Sequence, residues 1–229
     1  MLPAAKTFAI DDRLADSPFI KRIWRTSSPP EASFISIAAS HWQVVVWRQA
    51  GQTHVTLRGP ETSATAVSIP TDAEFLGIEF TVGVHLTGAR MEALVDRGVD
   101  LPSGVGGSFR LDASTWDIPE FDNAEVFVNR LARRGLIASD PLVNELLQGR
   151  PAELGRRSVE RRVRRATGLT LGRLRQIQRA KGAASLLEQG NAIGDVVALA
   201  GYADQAHLTR SLQRFLGQTP GQIMRRRGA

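Results

Sequence analysis

Residues 193–215 read IGDVVALAGYADQAHLTRSLQRF, and this stretch decides how the chain is understood. Ile193, Val196, Val197 and Ala200 recur at helical spacing, so 193–200 is expected to form a short amphipathic helix. Gly201 allows the left-handed backbone that stops it, and Asp204 is suited to cap the helix that follows. In that second helix Leu208, Leu212 and Phe215 stand at i, i+4 and i+7 and define one buried stripe. With about 100° per residue, Ala206, Arg210 and Gln213 then point away from the stripe. Thr209 lies on its flank and Gln205 at the free N-terminal end. A short helix, a tight glycine turn and a second helix with polar residues outward is the helix-turn-helix arrangement. The second helix has the width of a DNA major groove, where Gln can pair with adenine, Arg with guanine, and the Thr methyl can meet thymine.

Upstream, Val159, Val163 and Ala166 form a similar stripe, with Arg157, Arg161 and Arg164 opposite it and Glu160 beside them. Gly168 ends that helix. Between the two units Leu171, Leu174, Ile177, Ala180, Ala184 and Leu187 share one face, which predicts a long connecting helix over 171–188, closed by Gly190 and Asn191. Thr219 and Pro220 start a short terminal helix as cap and first residue. Arg225, Arg226 and Arg227 at its end suit phosphate contact and a solvated tail equally.

Charge agrees with this layout. The net charge of +6 is unevenly spread: residues 151–229 carry 15 Lys and Arg against 5 Asp and Glu, and residues 1–150 carry 14 against 18. Positive charge confined to one third of a chain implies a polyanion partner for that third. Arg outnumbers Lys there by 14 to 1, and Arg forks onto phosphate and guanine as Lys does not.

Residues 156–227 resemble the DNA-binding domain of the AraC/XylS family of transcription regulators. The matching text is RSVERRVRRATG at 157–168, RAKGAA at 179–184, IGDVVALAGYADQAHLTR at 193–210 and FLGQTP at 215–220. The most specific elements are Gly-Tyr-x-Asp before the second recognition helix and Gly-x-Thr-Pro after it. The resemblance implies double-stranded DNA as partner and two reading heads on one domain, in successive major-groove turns. It implies base contacts from Arg157 and Arg161 in the first head, and from Gln205, Ala206, Thr209 and Arg210 in the second; Glu160, Arg164 and Gln213 complete the candidate surface. The first unit departs from the family pattern. Where a Leu-Ala element is usual, LLQGRPAEL at 146–154 is short and interrupted by Pro151, so the first head is expected to be altered, weaker or mainly phosphate-binding. The resemblance also implies that residues 1–115 are a regulatory domain, often cupin-like in the family.

The residues of the N-terminal half read as β structure on their own. Runs rich in Val, Ile, Phe and Trp occur at 34–37, 42–47, 54–57 and 75–80, separated by turns at 49–52, 58–60 and 69–72. Gly51 stands where a hairpin needs a positive φ. Several short strands at this spacing suggest a small sandwich or barrel. A helix is expected over 87–96, with Leu86, Met91, Leu94 and Val95 as apolar positions, a loop over 101–108, and a helical connector over 118–150, where Phe121, Val126, Phe127, Leu131, Leu142, Val143, Leu146 and Leu147 recur at helical spacing and Asp140 and Pro141 resemble a helix start. The expected class is therefore α+β: a small β-barrel or cupin-like domain at 1–115, a connector at 116–150, and an all-α domain at 151–229 with two helix-turn-helix units joined by a long helix.

Other functions find little support. His41, His54 and His85 show no close metal-ligand spacing, so they read as ordinary strand residues, and neither metal nor cofactor is expected. No fingerprint of a hydrolase nucleophile, a phosphate loop or a dinucleotide site occurs, so no enzyme activity is expected. Trp24, Trp42, Trp47 and Trp116 could line a pocket, though Trp more often fills a core. Cysteine is absent, which excludes disulfides and thiolate metal sites. No run is long and apolar enough for a bilayer span, the N-terminus lacks a signal-peptide pattern, and a cytoplasmic protein without membrane contact is expected. A small-molecule effector, RNA polymerase and a second copy of the chain are further candidate partners. The alternatives are a non-specific nucleic-acid binder and a cupin-type enzyme with a basic tail.

Overall fold

The computed structural model describes residues 10–28, 33–104 and 107–226. Val105 and Gly106 of the expected loop, Arg227 of the terminal arginine run and the first nine residues lie outside them. The strands are β1 (Asp11–Arg13), β2 (Ile20–Ser27), β3 (Ser33–Ser36), β4 (Gln43–Gln49), β5 (Gln52–Arg58), β6 (Thr65–Ser68), β7 (Glu74–Phe80), β8 (Val84–Leu86), β9 (Gly98–Leu101), β10 (Ser108–Leu111), β11 (Ser114–Asp117) and β12 (Ile137–Ser139). The helices are α1 (Ala124–Arg133), α2 (Pro141–Leu147), α3 (Arg156–Thr167), α4 (Leu171–Glu188), α5 (Ile193–Leu199), α6 (Gln205–Leu216) and α7 (Pro220–Arg226).

Strands β1-β2-β7-β4-β5-β9 form one antiparallel sheet in that order, and β3–β6, β8–β12 and β10–β11 are two-stranded ribbons. The expected barrel does not form: among the described residues the sheet stays open, with β1 and β9 at its edges. The β4–β5 hairpin turns at Ala50 and Gly51 with φ of 50° and 77°, as the glycine suggested.

Register explains what each sheet face does. Trp24, Gly77 and Val45 are paired neighbours across β2, β7 and β4, as are Ile23, Ile78 and Val44 one step along. Side chains alternate sides along a strand. The face bearing Ile23, Val44, Val46, Leu57, Leu76 and Ile78 packs into a buried core with Phe109, Trp116 and α1. The opposite face, bearing Arg22, Trp24, Gln43, Val45, Phe75 and Glu79, is covered only in part.

Residues 87–96 do not form the expected helix. They give a single 3-10 turn, Met91–Leu94, and the chain then enters β9. Leu86, Met91 and Leu94 are buried as their spacing implied, but the turn suffices to bury them. The connector divides between two cores. Phe127, Leu131 and Ile137 belong with the sheet, whereas Leu142, Val143 and Leu146 belong with the C-terminal helices, where Ala38 joins them. Val126, expected on the connector's apolar face, is exposed. Asp140 caps α2 with its carboxylate accepting from the Leu142 amide at 3.2 Å, and Pro141 follows as read.

Candidate nucleic-acid interface

The second helix pair folds as its residues dictate. α5 ends before Gly201, which takes φ 67°, and Asp204 caps α6 by accepting from the His207 amide at 2.6 Å. Leu208 and Leu212 are fully buried and Phe215 nearly so. Tyr202 pins the turn to α6, its hydroxyl 2.9 Å from that of Ser211. Arg179 of α4 lies 4.5 Å over the Tyr202 ring and donates to the Gly201 carbonyl at 3.3 Å. The turn is thus held from both sides, and α6 is mounted on the long helix with little freedom to pivot. Arg179 belongs to the RAKGAA stretch, but its clamping role depends on α4 crossing the turn and is not legible in the sequence.

Gln205, Ala206, Arg210 and Gln213 are exposed, and Thr209 is half-buried. The Thr209 hydroxyl donates to the Gln205 carbonyl at 2.9 Å, which leaves its methyl and its oxygen lone pairs to meet a base. In the first unit Val159, Val163 and Ala166 are buried and Arg157, Arg161 and Arg164 are exposed. Glu160 is half-buried and turned toward the start of α4, where it accepts from the Leu171 amide at 3.5 Å. The segment 148–155, around Pro151, has no helix, so α2 and α3 are joined by an extended stretch where the second unit has a tight turn. Arg162 fastens this pair by a two-pronged contact to the buried Asp140 at 2.9 and 2.6 Å.

Most ion pairs among the described residues fall in the β-rich half, although Arg90, Arg97 and Arg110 there are exposed without one. In the β-rich half Arg13 pairs with Glu125, Arg22 with Glu79, Arg25 with Asp11 and Arg58 with Glu61. Among the described residues Arg157, Arg161, Arg164 and Arg210 have no acidic partner within salt-bridge distance. Exposed guanidinium groups without internal partners are the groups a phosphate backbone would neutralise.

The β-rich half meets this surface from behind. The last carbonyls of a helix have no partner within it. Here the Phe215 carbonyl accepts from the Ala38 amide and the Arg214 carbonyl from the Ala64 amide, both at 2.8 Å. Gly217, at φ 69°, closes α6, and a Cβ on it would stand 2.7 Å from Ile35 of β3. The end of α6 therefore rests on the β3–β6 ribbon. No group of side chains able to hold a metal occurs among the described residues, and none of their helices is long and apolar enough to cross a membrane.

Residues 150–226 match a family model described as a helix-turn-helix domain. Searches of curated proteins and of solved structures found no match to the chain.

Proposed function

We propose that this chain, whose residues 150–226 form an AraC-type helix-turn-helix domain of the kind that binds DNA in transcription regulators, recognises a specific operator and answers a small molecule through its β-rich half. The observation that carries this is the outward face of α6: Gln205, Ala206, Arg210 and Gln213 stand free opposite a fully buried stripe, on a helix fixed at both ends. Gln205, Thr209, Arg210 and Gln213 read base edges in one major-groove turn. Arg157, Arg161 and Arg164 on α3 chiefly neutralise phosphates in the next, since the shortened first unit lacks the tight turn that would fix its reading angle. Arg225 and Arg226 add sequence-independent affinity. No catalytic step is part of this function, and its place is the cytoplasm.

Selection from a random duplex library with the purified full-length chain tests it. One enriched motif, protected as a defined footprint, is the expected result. Uniform coating of DNA, or enrichment of nothing, would refute the assignment.

A further inference from the structure

The second face of the main sheet is not bare. Between it, the β3–β6 ribbon and α4 lies a cavity of 650 Å³. Trp24, Val45 and Phe75 supply apolar floor, and Ile35 and Ile37 an apolar wall. Gly77 makes the floor possible, because a Cβ there would fall 2.0 Å from the Trp24 ring. Ile10, Leu14 and Ile37, which line the same cavity, are among the few large apolar residues left exposed to solvent. A concave, mostly apolar space with a few polar groups is the usual form of a small-molecule site.

The polar groups in it are unequally occupied. Glu79 is held by Arg22 at 2.6 Å, Lys21 at 3.1 Å and His41 at 3.1 Å. Glu61 is held by Arg58 at 2.6 Å and by the Ser36 hydroxyl. Burial works against the Glu79 charge, but His41, Arg22 and Lys21 outweigh it and keep its carboxyl well below the usual carboxylate range. Burial also pushes His41 down, against the pull of its hydrogen bond to Glu79. Arg22 is also paired with Asp12 at 3.6 Å, so three acids account for three of the four Lys and Arg cations around the cavity. The fourth cation, Lys181 of α4, is half-buried and has no hydrogen bond or ion pair among the described residues. It is the one lysine among the basic residues of 151–229. The Arg22 Nε, the Trp24 Nε1 and the Gln43 Oε1 are also buried without hydrogen-bond partners among the described residues. A partly desolvated charge with no counter-charge is costly, and an anion seated beside Lys181 would remove that cost.

We propose that this cavity binds an amphipathic organic acid, its carboxylate on Lys181 and its apolar body along Trp24, Val45 and Phe75. The proposal rests on the reading that the β-rich half answers a small molecule, and it supplies that molecule's chemistry. A monoanion fits because one cation is left over; a neutral or cationic ligand of the same shape leaves Lys181 as it is. The occupant would touch α4, which clamps the recognition turn through Arg179, and β3, whose ribbon seats the end of α6. Occupancy would therefore bear on how α6 is held.

Calorimetric titration of the full-length chain with dodecanoate and with 2-naphthoate tests this, with dodecan-1-ol, dodecylamine and 2-naphthylmethanol as uncharged or cationic counterparts. At least one acid is expected to bind, at least tenfold more tightly than its counterparts. Lys181→Met is expected to weaken the acid at least tenfold, and Lys181→Arg to keep most of the affinity. Binding by neither acid, equal binding of acid and alcohol, or an unchanged affinity in Lys181→Met would overturn the proposal. Should Lys181→Met fail to fold, the acid-against-alcohol ratio and Lys181→Arg still decide. The operator selection is run without any acid, so the two readings fail separately. An operator found with no acid bound sinks the ligand alone; an acid bound with no operator found sinks the regulator. A bound acid that leaves operator affinity within twofold of its free value removes the regulatory role of the cavity.

Discussion

At the scale of single residues, Arg210 is the sharpest case. It is exposed on α6 and has no internal acidic partner among the described residues. Arg210→Ala is expected to cost about 1–3 kcal/mol on the selected operator and to relax preference at one base pair. Binding to the operator and to its single-base variants measures both. An equal loss on every sequence would make Arg210 a phosphate contact. Its position was legible because three apolar residues at i, i+4 and i+7 fix where every other side chain of α6 points. Lys181 was not legible, since its setting depends on a sheet face built from strands more than a hundred residues earlier. Burial, and then Lys21 and Arg22, push its amine down to about 8, against the opposing pull of Glu79 and Glu61. Below that pH the folded chain bears a disfavoured charge. As pH rises from about 8 toward the ordinary lysine value, the unfolded chain holds more protons at this group, so stability should increase. Urea midpoints at pH 7.5 and 9.5 are expected to show a larger gain for the ligand-free protein than for Lys181→Met. Equal gains would mean the amine is not perturbed by its surroundings.

Elements show where local pattern suffices and where it does not. β4, β5 and β7 were evident from β-branched and aromatic runs. β2, which carries Trp24 and pairs with β7 over most of its length, was not seen, because IKRIWRTS alternates apolar residues with Lys and Arg and sits before the obvious runs. The helix expected over 87–96 failed because apolar spacing was matched there by one 3-10 turn. The helix-turn-helix at 193–215 was readable nearly in full, since its cap, turn and stripe are all local. Its seat was not, because the hydrogen bonds from Ala38 and Ala64 join distant parts of the chain. Gly217 tests that seat. Gly217→Ala meets both a left-handed backbone and the Ile35 side chain, and should destabilise by about 2 kcal/mol or more. Gly201→Ala, at a similar φ of 67° with nothing within 4 Å, carries backbone strain alone and should cost about half as much. Urea unfolding of the two variants decides; equal costs would show that β3 does not press on the end of α6.

For the whole molecule, the two cores are interlocked. Ala38 of the β-rich half is buried among the C-terminal helices, Gly168 after α3 packs on the Met91 carbonyl, and the connector contributes to both sides. Chains built of separable domains commonly melt in separate steps. This one is expected to give a single calorimetric transition, and two well-resolved transitions would show that the contacts between the halves contribute little. The open sheet also differs from the expected barrel for a reason at this scale: one face packs on α1 and the β10–β11 ribbon, and the other faces α4 and the β3–β6 ribbon across the cavity. Neither face required closure. Connecting segments ordinarily tolerate insertions and drift. The two that contain Ala38 and Ala64 are exceptions, since each places an amide against a helix end to within a hydrogen-bond length. A graft of residues 150–226 onto a foreign partner would keep the stripe and the cap of α6 but leave its final carbonyls to water. The reading head is in this sense not a portable module, and lengthening either segment by one residue should loosen it in part, since each supplies one of the two hydrogen bonds at the end of α6.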